Sequence, residues 1–182
     1  MKSKSAFAFV LFTVAATALV VVFTALASEN IAQDSIPIVK EVPSGYRDWK
    51  LISVAHEEGN LHSFAAVLGN DIAINAYREG NLPLPDGAII VALHYRHVPS
   101  EENNKVFGQA QSFVPGPPTN IQFMLKDSKK YAATGGWAFA QFAYDTASKS
   151  FKPSVTGAEC GYACHSQHVA SRDYIFTAYP PR

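Results

Sequence analysis

Cys160-Gly161-Tyr162-Ala163-Cys164-His165 lies close to the C-terminus and holds the only two cysteines of the 182-residue chain. Two thiols followed at once by an imidazole is the arrangement that fixes haem covalently. The thiols add across the two haem vinyl groups, and the histidine supplies the proximal ligand to iron. The usual spacing leaves two residues between the cysteines, whereas here Gly161, Tyr162 and Ala163 intervene. Gly161 is conformationally permissive, so a backbone adjustment there would absorb the additional residue. Two other readings of the same residues stay open. Cysteines four apart can meet on one helical turn as a local disulfide, although so short a loop constrains little of the unfolded chain. A structural metal site of Cys, Cys and His would need a fourth ligand, and no second cysteine pair offers one.

What surrounds this stretch decides the fold. A helical cytochrome would embed it in long segments of 3.6-residue period, and none occurs. Just upstream, Gly135-Gly136 introduces Trp137–Tyr144, an aromatic strand. Just downstream, Asp173-Tyr174-Ile175-Phe176 is an apolar tail expected to pack back on the core. Further out, Thr119–Leu125 reads as a strand behind a rigid turn, Pro115-Gly116-Pro117-Pro118. Lys126–Lys130 reads as a solvated charge run at a surface turn, and Pro99–Phe107 as a polar loop. Ala88–Tyr95 is a strongly apolar strand. Asn70 or Asp71 caps a helix through Glu79, with Gly80 just past its end. Trp49–His56 and His62–Leu68 form two strands around the turn Glu57–Asn60. About five short strands joined by turns favour antiparallel pairing. The expected class is α+β, mainly β, with an antiparallel sheet packed by a few short helices.

Residues 1–27 read as a secretory signal. Lys2 and Lys4 precede an apolar run from Ala6 to Val22, and Ala25-Leu26-Ala27 is a small-x-small cleavage site. The run is long for a signal, so an uncleaved N-terminal membrane anchor is the alternative. Residues 28–44 form a polar linker with Pro37 and Pro43, and residues 45–182 form one domain. The chain carries 15 basic and 15 acidic residues. Loss of the two signal lysines leaves a net charge of −2, which argues against nucleic acid as a partner. Export agrees with the haem reading, because bacteria join haem to c-type cytochromes outside the cytoplasmic membrane. The expected location is the periplasm.

Several stretches together resemble the cytochrome P-460 family, which includes the cytochrome c′-beta proteins. In order they are Tyr46-Arg47-Asp48-Trp49, Ala76-Tyr77-Arg78-Glu79-Gly80, Pro85-Asp86-Gly87, Met124–Tyr131, Gly136-Trp137-Ala138-Phe139, Cys160…Cys164-His165 and Asp173–Phe176. The resemblance implies a mostly β domain, often dimeric, with one covalent haem c. It makes Cys160 and Cys164 the thioethers and His165 the iron ligand, with an open or weakly occupied distal side. Members that oxidise hydroxylamine carry a lysine cross-linked to the haem on the strand after the Asp-Gly turn. Here Ala92 stands at that position, and no lysine occurs from Ala88 to Tyr95. An arginine of those enzymes falls on Ala65, and an acidic group falls on Gln122.

On the strand through Ala92, Ile90, Ala92 and His94 share one face. Ala92 would face the haem and Ile90 would make that side apolar. His94 is the nearest polar group, a candidate distal donor or sixth ligand. Gln122 is a candidate partner for a distal ligand. Trp137 and Phe139 are core residues that could reach the pocket. His97, then His56, His62 and His168, are weaker distal candidates. An apolar, uncharged distal side favours a neutral diatomic gas such as NO and disfavours proton-coupled oxidation, which needs a positioned base. The chain is therefore expected to act as an exported monohaem c-type cytochrome, in electron transfer with a redox partner protein or in binding small nitrogen oxides. The competing readings are a hydroxylamine- or NO-oxidising oxidoreductase and a haemless exported β domain with a local disulfide.

Overall fold

The computed structural model describes residues 39, 41–154 and 156–180. The expected signal or anchor and most of the linker lie outside these residues. Among the described residues no helix is long and apolar enough to cross a membrane.

Six strands follow one another in chain order to form a single antiparallel meander: β1 (Lys50–Glu57), β2 (Ser63–Gly69), β3 (Ile89–Pro99), β4 (Phe113–Lys126), β5 (Trp137–Asp145) and β6 (Ser150–Pro153). Three helices accompany them: α1 (Asp71–Glu79), α2 (Glu101–Phe107) and α3 (Gly157–Val169). The mainly β antiparallel architecture is the expected one. The sheet gains a sixth strand, the short β6 hairpinned onto β5, which the sequence does not advertise.

Alternation along the strands produces two differently used faces. One face carries Leu68, Val91, Leu93, Ile121, Phe123 and Phe142, packed against Val42, Tyr46 and Trp49 of the segment entering the domain. The other carries Val67, Ile90, Met124 and Phe139, packed under α1, α3 and the C-terminal tail. Matched registers align its side chains in rows across the strands. Ala55, Ala65, His94 and Asn120 form one row, and Val67, Ala92, Gln122 and Gln141 form the next.

Helix α1 is set by its cap. Asn70 Oδ1 accepts from Ala73 N at 3.0 Å and also from Ile89 N at 3.1 Å, so one side chain starts the helix and ties it to the first residue of β3. Gly80 closes the helix in the left-handed region, at φ 71°. The buried residues are Ala73, Ile74 and Ala76, while Ile72 is exposed.

Three expectations change. Pro99–Phe107 is not simply a loop, because Ser100 accepts from Asn103 N and Gly108 ends α2 behind it. Pro115–Pro118 belongs to β4 rather than to a free turn. β5 pairs only with Asn120–Lys126, so the preceding residues of β4 are bonded on one side only, and the register against β3 shifts around Tyr95. Prolines, which lack a ladder donor, are tolerated at such an edge. Lys126 leaves the charge run: it is 6% exposed, whereas Ser128, Lys129 and Lys130 form the surface turn.

Candidate haem site

Residues Cys160, Cys164 and His165 all lie on α3, which packs on β5. Positions i and i+4 are neighbours on a helix surface, as i and i+3 are. A regular helix thus presents both thiols from consecutive turns and accommodates the three-residue spacer without a bend. Gly161 does not work as a hinge. It is an ordinary helical residue, and a Cβ there would stand 3.4 Å from the Phe139 ring. That is ordinary van der Waals contact, so the packing there does not demand glycine. Gly157 is the residue whose bareness lets α3 lie close to the sheet, since a Cβ there would overlap the Gln141 side chain. Both cysteines are free, exposed thiols.

His165 is held from three sides. Its ring meets Phe139 edge to face at 5.2 Å between centroids and Phe176 at 4.8 Å. Its Nδ1 lies 2.6 Å from the backbone oxygen of Tyr174. A carbonyl only accepts, so Nδ1 carries the proton and donates, and Nε2 keeps its lone pair. Metal-bound histidines are oriented in this way by a bond from their other nitrogen. Burial pushes the ring below its ordinary value of 6.5, partly opposed by the Tyr174 bond. The neutral form, the one that can ligate, is thereby favoured.

The tail that supplies Tyr174 is fixed by a buried carboxylate. Asp173 Oδ1 accepts from Lys126 Nζ at 2.5 Å and from Trp137 Nε1 at 3.2 Å, and Oδ2 accepts from Leu84 N at 2.8 Å. The Asp173 and Lys126 side chains are each 7% exposed. The Lys126 ammonium also lies over the Trp137 ring, 4.7 Å from its centroid. Asp173 and Tyr174 both have positive φ, 53° and 61°, a conformation non-glycine residues rarely adopt without enforcement. The three bonds to Asp173 supply that enforcement. Trp137 is accordingly a core residue tied to Asp173 and is absent from the cavity lining.

Between α3, the tail and the sheet lies a cavity of about 640 Å³, within the size range of cofactor sites. Cys160, Cys164, His165 and Phe176 line one wall, and Ala65, Val67, Ile90 and Ala92 line another. Ile90, Ala92, His94 and Gln122 from the sequence reading all face this space, as does Phe139. His56, His62, His97 and His168 do not line it. His56 and His62 instead gather around His97 on the exposed surface.

The cavity is not uncharged, and this overturns the expected purely apolar distal side. Glu57 continues β1 instead of opening the turn, which places its carboxylate in the lining. Glu57 Oε2 accepts from Ser63 Oγ and faces His94 Nδ1 at 3.3 Å. His94 Nε2 is buried and has no partner, and neither has Oδ1 of Asn120, its neighbour across β3 and β4. Composition gave no sign of this pair. Only the alternation of β1 could have shown it, had the strand been carried one residue further.

The donor set fits a covalent haem: two free thiols one helical turn apart, an imidazole with its Nε2 free, and adjoining apolar space. Among the described residues no three His, Cys, Asp or Glu side chains group to hold a bare metal ion, so the reading of a Cys, Cys and His metal site gains no support. A search of curated protein sequences finds no match. The sequence model described as Cytochrome P460 matches residues 43–177, nearly all of the described chain, and the chain therefore belongs to the cytochrome P460 family.

Proposed function

We infer that this chain is an exported monohaem c-type cytochrome that binds a small ligand, NO or a chemically similar molecule, on the haem face away from His165. Cys160 and Cys164 would form the thioethers, and His165 would ligate iron through Nε2. The bound group would supply a redox-active iron with an exchangeable coordination position. The protein orients the imidazole through Tyr174 and packs it against the rings of Phe139 and Phe176. The side chains it presents at Ala65, Val67 and Ala92 are small. Those small side chains, lining the same cavity as the candidate iron ligand His165, are the observation that supports the reading.

The oxidoreductase reading is favoured by one observation and opposed by another. Glu57 and His94 supply a positioned proton acceptor, whereas Ala92 offers no amine for a cross-link to haem. Optical spectra of the purified protein, oxidised, reduced and with NO added, test both. An ordinary haem c spectrum with a new band set on NO addition is expected. A strongly red-shifted Soret band would overturn the Ala92 argument. A spectrum unchanged by NO, CO and cyanide would overturn ligand binding in favour of electron transfer. Haem that extracts into acidified organic solvent would overturn the thioether assignment.

A further inference from the structure

We propose that Glu57 and His94 form a proton-accepting pair that lets the haem site take up small weak acids whole, the proton on His94 and the anion on the iron. The inference rests on the ligand-binding reading above. Glu57 Oε2 faces Nδ1 of His94, so Nδ1 carries the proton in the neutral ring and Nε2 is an acceptor. That Nε2 is buried and unpartnered, and so is Oδ1 of Asn120, the residue paired with His94 across β3 and β4. Two neighbouring buried acceptors lack a donor, a costly arrangement that natural structures rarely leave unanswered. A proton delivered to Nε2 answers it. The imidazolium becomes a donor toward a bound anion or toward Asn120, and the Glu57 carboxylate balances its charge. This is the carboxylate–imidazole logic that orients and stabilises a proton-accepting histidine.

The step balances without a redox partner. The H–X bond of the weak acid breaks heterolytically, the proton passes to His94 Nε2, and the electron pair stays on the anion. The other titratable groups lining the cavity are Cys160, Cys164 and His165 on α3. In the loaded protein these are spent on thioethers and ligation. Ser63 on β2, Asn120 and Gln122 on β4 and Gln141 on β5 are uncharged. Among the described lining residues no other free base competes with the Glu57–His94 pair for the proton.

The test uses cyanide and the ferric, haem-loaded protein in weakly buffered solution, with an indicator dye counting protons. Between about pH 7 and pH 8, hydrogen cyanide is the dominant free species. Binding should then release no net proton, and affinity should stay level with pH. His94→Gln should release one proton per cyanide, and its affinity should fall tenfold for each pH unit of acidification. Glu57→Gln should move the release toward one proton. Wild-type protein that releases one proton per cyanide would overturn the proposal, as would a His94→Gln variant that releases none. If the variants fail to fold, the wild-type stoichiometry decides alone. NO binding to the ferrous protein, which involves no proton, should be unaffected by His94→Gln. Absence of a haem spectrum or of all gas binding would break the ligand-binding reading itself, an outcome distinct from a wrong proton count.

Discussion

The wall that carries Cys160, Cys164 and His165 and the wall formed by β1, β2 and β3 are held in place by different means. The first is a helix and a tail fixed by polar tethers: Asp173 to Lys126, Trp137 and Leu84, then Tyr174 to His165. The second is a run of sheet in which the backbone ladder does the fixing, and its side chains at Ala65, Val67 and Ala92 are small. Rigidity is needed where a ligand atom must keep its angle to iron. Room is needed where a molecule must enter. Substitutions should accordingly cost stability on the first wall and alter ligand binding on the second.

The largest effect is expected from Asp173→Asn. It leaves the Lys126 ammonium buried without its counter-charge, which costs about 3–5 kcal/mol, and it frees the tail that orients His165. Urea unfolding should show the loss, and the haem spectrum should show weakened or heterogeneous axial ligation. An unfolding midpoint close to wild type would mean that the polar tethers are ornamental and the contrast between walls is false. Next is Gly135→Ala. Gly135 has φ 69°, and a Cβ there would overlap the Tyr174 ring. The strain and displacement should cost about 1–3 kcal/mol, with the same spectral signature because Tyr174 holds His165.

On the other wall, Ala92→Leu places a larger side chain in the cavity. Stability should change by less than about 0.5 kcal/mol. NO or CO affinity should fall about tenfold, equivalent to about 1.4 kcal/mol. The reverse pattern, an unstable protein with normal affinity, would show that the cavity wall is core. The smallest effect concerns Tyr77. Burial, then the nearby Asp173 charge, raises its hydroxyl above the ordinary 10.0. The neutral phenol is favoured in the fold, so its contribution is complete below about pH 10. It declines as pH rises from there toward the raised folded value, because the unfolded chain releases that proton first. Tyr77→Phe should flatten this alkaline decline in thermal midpoint while leaving the neutral-pH haem spectrum unchanged.

The grouping of the candidate haem ligands and the face of β3 were legible because they follow local rules. The cysteine-histidine cluster announces its chemistry, and alternation alone puts Ile90, Ala92 and His94 together. The helix at Asn70 and Gly80 was legible from its caps. What stayed hidden depends on contacts distant in sequence. Lys126 looks like the head of a charge run until Asp173, 47 positions later, is folded against it. Glu57 looks like a turn residue beside Glu58 and Gly59 until pairing with Ser63 extends β1. Helix α2 was missed although Ser100 and Gly108 mark both its ends, because its sequence is polar and no residue in it is buried.

The opposite accessibility of the two kinds of haem-binding group has a consequence for assembly. The thiols of Cys160 and Cys164 are exposed on α3, so attachment chemistry can reach them without opening the domain. The imidazole of His165 takes its direction from Phe139 on β5 and from Tyr174 and Phe176 on the tail that follows α3. Under the proposed thioether and ligand assignments, covalent capture and iron ligation would therefore be separable in time. A chain truncated before Asp173 should still offer both thiols to haem but lack the latch that sets the angle of its ligand. The C-terminal segment is in that sense a closing device for the cofactor site.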